Sequence, residues 1–156
     1  MFHAKLVMLL VILLAPAVND VPEKESRSVV SVFSVKQEKV VLATRLTPDV
    51  QQNVIQALED SPSHYGGYTL EPRSGWIAHV PFASPIAIPD SIYSDRIKEV
   101  YVYLEPNQNA KALVFYVSSG KFTIVVLKPD AESMMRKMNL RAESLEESAP
   151  SEQLLP

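Results

Sequence analysis

Three segments near the C-terminal half decide the fold: RIKEVYVYL (residues 96–104), KALVFYV (111–117) and KFTIVVLK (121–128). Each is rich in β-branched and aromatic residues. The linkers are short and turn-forming, Glu105-Pro106-Asn107-Gln108-Asn109 and Ser118-Ser119-Gly120. Runs of this kind joined by tight turns predict an antiparallel meander. In the first run Val100, Val102 and Leu104 alternate with Tyr101 and Tyr103, which gives one apolar and one amphipathic face.

Working outward, the next segment downstream is Pro129-Asp130, which ends the sheet. Asp130 is placed to cap a second helix, Ala131 to Leu145, with Met134, Met135, Met138, Ala142 and Leu145 on one stripe. That stripe is expected to lie on a sheet face made by Val100, Val102, Val114 and Ile124, or else against a partner. Clustered thioethers could hold Cu(I) in an exported protein. The continuation of the stripe through alanine and leucine favours core packing instead. Residues 146–156 are Ser-, Glu- and Pro-rich and read as a disordered acidic tail.

Upstream, Ser28 to Val35 and Lys39 to Leu46 are strand-like and predict a hairpin through Lys36-Gln37-Glu38. Thr47 to Asp60 is the clearest helix. Thr47 caps, Pro48 suits the first turn, and Val50, Val54, Ala57 and Leu58 recur at helical spacing with Ile55 at the margin. Ser63 to Gly67 reads as a loop. Tyr68 to Leu70 and Trp76 to Phe82 read as short strands. Pro81, Pro85 and Pro89 make Val80 to Asp90 an edge or an irregular crossing, because proline donates no ladder hydrogen bond. The pattern defines an α+β fold. A single domain over 28–145 carries an antiparallel, meander-rich sheet, or a sandwich-like version of it, packed by two helices.

The N-terminus sets the setting. Leu6 to Leu14 is an unbroken apolar run after His3 and Lys5, and Ala15-Pro16-Ala17 follows. This is the layout of a secretory signal peptide, 1–17, with 18–27 as a polar linker. The run is under half of the roughly 20 residues a spanning helix needs. An uncleaved membrane anchor is the alternative. The net charge is −3. Loss of Lys5 with the signal leaves 14 basic against 18 acidic residues, a charge of about −4. No basic face for nucleic acid is expected. The chain has no cysteine, which for an exported domain fits the bacterial periplasm.

No catalytic motif stands out. No G-x-S-x-G stretch exists, and four glycines cannot build a phosphate loop. His64 and His79 lack partners at metal-ligand spacing. No catalytic residue, metal site or cofactor is expected. If the chain is a small hydrolase, Asp90, Asp95 and Glu99 are the candidate acids, because they follow the proline-rich crossing where loops could form a cleft. The most binding-like cluster is His64, Tyr65, Tyr68 and Trp76 around Gly66-Gly67. It offers aromatic rings on a flexible loop to a protein partner or a cell-wall polymer.

The stretch YTLEPRSGWIAHVPFA (68–83), followed by IKEVYV (97–102), ALVFYV (112–117) and FTIVVL (122–127), resembles AMIN domains in segment order. The likeness runs from Tyr68 to Leu127. This chain has His79 and Lys111 where the family usually carries Asp and Arg, and the helix at Pro48 to Asp60 is additional. The resemblance implies a β-rich extracytoplasmic bacterial module that localises other proteins by contacting peptidoglycan. Together these readings predict an exported, non-enzymatic accessory module of the cell envelope.

Overall fold

A computed structural model of the chain describes residues 28–60, 63–67, 69–118 and 120–146. The signal segment 1–17, the linker 18–27 and most of the tail lie outside the described residues. Seven strands form one antiparallel sheet: β1 (Val29–Ser34), β2 (Lys39–Arg45), β3 (Ser63–His64), β4 (Trp76–Ile86), β5 (Ile97–Leu104), β6 (Asn109–Tyr116) and β7 (Phe122–Asp130). Their order is β2-β1-β4-β5-β6-β7-β3. The helices are α1 (Pro48–Glu59), α2 (Ala131–Lys137) and α3 (Ala142–Glu146). The α+β architecture, the β1–β2 hairpin and the β5–β6–β7 meander are as the sequence predicts.

Burial alternates along much of β1 and β4 to β7 and defines the inner face. Val30 and Val32 of β1, Ala78 and Val80 of β4, and Val100, Val102 and Leu104 of β5 are buried. So are Ala112, Val114 and Tyr116 of β6 and Val125 and Leu127 of β7. Residues of the opposite parity on these strands are half-buried or exposed, except Ile97 of β5, which is fully buried on the far side of the register shift before Glu99. The helices therefore cover one face only, and α1 carries the chain across that face from edge strand β2 to edge strand β3.

Helix α1 forms as its sequence dictates. The Thr47 hydroxyl accepts a hydrogen bond from the Val50 amide at 3.3 Å, and Val50, Val54, Ala57 and Leu58 are buried. At its far end the Tyr93 hydroxyl donates to the Leu58 carbonyl at 2.8 Å, tying the β4–β5 crossing to a helix terminus.

The second helix corrects the sequence reading. The segment from Ala131 to Leu145 is two short helices, not one. Asp130 caps the first as expected, accepting from the Ser133 amide at 2.7 Å. The helix then stops at Asn139, whose φ is +57°. The Asn139 amide donates to the Arg136 carbonyl at 3.1 Å and the Leu140 amide to the Met135 carbonyl at 2.9 Å. These two bonds make a Schellman stop with asparagine in the left-handed position. Periodicity did not reveal it, because Leu140 after the stop falls back on the core as a continued stripe would. The stripe is nonetheless intramolecular: Met134, Met135, Met138, Leu140 and Leu145 are all buried. Ile124 is not on the face it meets. It pairs with Leu113, on the opposite side from Val114.

Three further segments differ from expectation. Ser63 and His64 form the short edge strand β3 on β7 rather than a loop. Thr69 and Leu70 are not strand, and Tyr68 lies outside the described residues. Strand β4 continues through Pro81 to Ile86, in the interior of the sheet rather than at its edge. Proline is tolerated there because β4 pairs with β1 only as far as His79, so Pro81 faces no partner on that side.

Candidate binding face

The outer face of the sheet has no covering helix among the described residues. Its register brings together residues far apart in sequence. One row runs Phe33, Ile77, Tyr103, Lys111 and Val126; a second runs Ser31, His79, Tyr101, Leu113 and Ile124; a third runs Pro81, Glu99, Phe115 and Phe122.

Across these rows runs a continuous series of rings from β4 to β7. His79 stacks on Tyr101 with centroids 4.5 Å apart. Tyr101 meets Phe115 edge-on at 5.7 Å, and Phe115 lies 5.9 Å from Phe122. These separations fall in the range where ring quadrupoles attract. Phe122, at the end of the series, is 57% exposed. Desolvation among neighbouring rings raises the Tyr101 hydroxyl above its ordinary value, with the Glu99 charge adding to it. Burial likewise raises Tyr103. Both stay neutral near pH 7 and keep a proton to donate.

Polar groups flank the rings. His79 Nε2 lies 2.8 Å from Glu99 Oε2, and Lys98 Nζ lies 3.7 Å from Glu99 Oε1. Lys111 Nζ reaches Glu105 Oε1 at 3.3 Å and Gln108 Oε1 at 2.9 Å. The same ammonium lies 5.7 Å from the Tyr65 ring centroid, a cation–π distance.

The described residues of the expected aromatic site, His64, Tyr65 and Trp76, are not brought together. Tyr65 hangs over the outer face beside Lys111, its amide donating to the Ile124 carbonyl at 3.1 Å. His64 sits exposed on edge strand β3. Trp76 opens β4 opposite Leu104, on the helix-covered side of the sheet. There it lines a hollow of about 420 Å³ with Met135 and Leu140. Of the three described, His64, Tyr65 and Trp76, Tyr65 alone joins the ring-bearing face; Tyr68 lies outside the described residues. His79, Tyr101, Phe115 and Phe122 were missed as a group, since only strand register aligns them.

The candidate acids are dispersed. Asp90 accepts from the Ile92 amide at 2.9 Å in its own turn. Asp95 accepts from the Arg96 amide at 2.7 Å and the Ser118 amide at 3.0 Å. A hydrogen bond from the Ser118 hydroxyl foremost, then those from the Arg96 and Ser118 amides, holds its carboxyl below the usual range. Glu99 faces His79. Among the described residues no three His, Asp or Glu side chains cluster as metal ligands, and no helix is long and apolar enough to cross a membrane.

Comparison of the chain with protein-family models, curated proteins and solved structures returned no match.

Proposed function

We propose that the chain is an exported, non-enzymatic accessory module of the bacterial cell envelope, and that it contacts a protein partner or a cell-wall polymer through the outer face of its sheet. The observation that carries the reading is the ring series from His79 to Phe122 on a face without a covering helix. A planar row of half-exposed rings gains free energy when a flat partner removes it from water, and the flanking hydroxyls and ion pairs supply direction. The apolar segment Leu6 to Leu14 before Ala15-Pro16-Ala17 supplies the export signal. The absence of cysteine and the likeness of Tyr68 to Leu127 to AMIN domains point to the envelope as the setting.

The test uses the full chain. It should co-sediment with purified peptidoglycan, or a photo-crosslinker at position 122 should trap one defined envelope protein. Tyr101→Ala combined with Phe122→Ser should abolish either result. Phe122→Ser alone should change stability by no more than about 0.5 kcal/mol, as an exposed substitution does. Sedimentation and crosslinking unaffected by the double change would refute the assignment of the face. Recovery of the chain with an N-terminus at Met1 in the membrane fraction, rather than at Val18, would replace export with anchoring.

A further inference from the structure

The apolar outer face reaches well beyond the ring series. Among the described residues four large apolar side chains stand exposed: Val29, Val40, Val117 and Phe122. Val29 has the parity of Phe33 on β1, and Val40 of β2 pairs with Phe33. Phe122 of β7 pairs with Phe115 of β6. Val117 follows Phe115 by two residues, its amide still bonded to the Arg96 carbonyl beside it. All four therefore lie on the side away from the helices. They fall at two opposite ends of the sheet, β1–β2 and β6–β7, with β4 and β5 between them. Ile77, Leu113 and Ile124 keep the face apolar from one end to the other. Among the described residues its three rows carry charge, His79 apart, only at Arg45, Glu99 and Lys111.

We propose, on the reading of the outer face as a contact surface, that it packs against the same face of a second copy of the chain. The size fits. Strands lie about 4.8 Å apart and rise about 3.4 Å per residue, so six strands by five residues give about 500 Å² of flat area per copy. Two copies together cover about 1,000 Å², the size from which a specific interface holds.

The placement of the exposed residues favours a copy over another occupant. A two-fold axis parallel to the strands, between β4 and β5, lays β2 of one copy over β7 of the other and β1 over β6. The open apolar groups at one end then cover those at the other, and the symmetry repeats the match. Arg45 comes over Phe122 of the second copy, a cation–π pairing, and Lys111 comes over Phe33. No like charges meet. A wall polymer fits less well. Glu99 is held by His79 and Lys98, and Lys111 by Glu105 and Gln108. A chain of sugar hydroxyls would find few partners there for the hydrogen bonds it loses to water.

The test is the oligomeric state of the purified full chain, by sedimentation equilibrium over a wide range of concentration. A reversible dimer is expected. Val40→Lys should weaken it at least about tenfold by burying an unpaired ammonium, and Val40→Leu should keep it. Val40 is exposed, so both variants should melt with the parent where all are dilute enough to be monomeric. A photo-crosslinker at position 122 should reach β2 of the other copy around Arg45, read by mass spectrometry of a sample mixed from labelled and unlabelled chains. A monomer at every concentration would overturn the second copy, yet leave the contact face to its own test against peptidoglycan and envelope proteins. A dimer indifferent to Val40→Lys would overturn this face as its interface. A dimer paired edge to edge through β2 would give no crosslink from position 122 and would overturn it equally. Crosslinks confined to β7 of the other copy would overturn the axis.

Discussion

Gly75 is the position where a single methyl group should do the most damage per atom. It precedes Trp76 with φ +84°, and a Cβ placed there would overlap the backbone carbonyl oxygen of Leu104. Leu104 is fully buried and pairs across the sheet with Trp76. On the other side the Gly75 carbonyl accepts from the Val35 amide at 3.1 Å. The glycine is thus clamped between β1 and β5, and neither neighbour can withdraw without breaking ladder bonds. Gly75→Ala should cost about 1–2 kcal/mol for the left-handed backbone. Overpacking against a fixed carbonyl adds about 1–3 kcal/mol. The sum, about 3 kcal/mol, lowers the melting temperature by about 10 °C in a domain of this size. Gly120 is the internal control. Its φ is +59°, yet nothing lies within 4 Å of an added Cβ. Gly120→Ala should therefore cost only the backbone share, about 1 kcal/mol. Gly66→Ala, with open space around it and no φ in the left-handed region, should leave melting nearly unchanged. Thermal unfolding followed by far-UV circular dichroism ranks the three. Equal losses for Gly75→Ala and Gly120→Ala would show that the Leu104 carbonyl gives way and that the steric reasoning is wrong.

The remaining predictions concern the helices. Met134 is completely buried, so Met134→Ala should destabilise by about 2–5 kcal/mol in urea unfolding; a loss below 1 kcal/mol would mean that α2 packs loosely. Met135→Asp puts an unpaired carboxylate under the same helix and should lower the melting temperature of the whole domain. Burial first, then Tyr116 and Asp90, holds the Tyr93 hydroxyl well above its ordinary value. The stability linked to it is complete below pH of about 10 and is lost as pH rises from there towards the raised value. Tyr93→Phe should remove that alkaline loss and cost about 1 kcal/mol at neutral pH, by leaving the Leu58 carbonyl unpaired. The Asp130 carboxyl is lowered chiefly by the Ser133 amide. Its contribution is present above the ordinary carboxylate value and lost as pH falls through the lowered one. Asp130→Asn should keep the cap and flatten that part of the acid limb, which a pH series of melts would reveal.

What could be read from the chain follows from which forces are local. Capping is local: Thr47 and Asp130 each bond an amide three residues away, and both caps were legible. Alternation is local too, so the buried Val100, Val102 and Leu104 of β5 followed from its sequence. The break at Asn139 was not legible by periodicity, because a Schellman stop returns the next apolar residue to the core. Ile124 was misplaced because Lys121 to Lys128 carries Ile124, Val125, Val126 and Leu127 in succession, and such a run does not say which parity faces inward. Only the pairing of Val114 with Thr123 decides it.

Register is also why the candidate face escaped the sequence. His79, Tyr101, Phe115 and Phe122 stand on four strands, and each looks ordinary on its own. They meet because β4 inserts between β1 and β5, a long-range choice made by the inner face, not the outer one. The inner face requires Ala78, Val102 and Ala112 to align, and two of these three are alanines. Small residues there let the covering helix approach closely. The same register sets His79 opposite Tyr101 on the outer side, and the two rings stack. The outer face is thus a by-product of core packing in its position, yet its composition is free to vary. A face constrained only by solubility would fill those half-exposed positions with Thr, Lys and Glu, as exposed β positions tolerate. That they hold rings instead, over four strands, is the physical argument behind the proposal that this face is a contact surface.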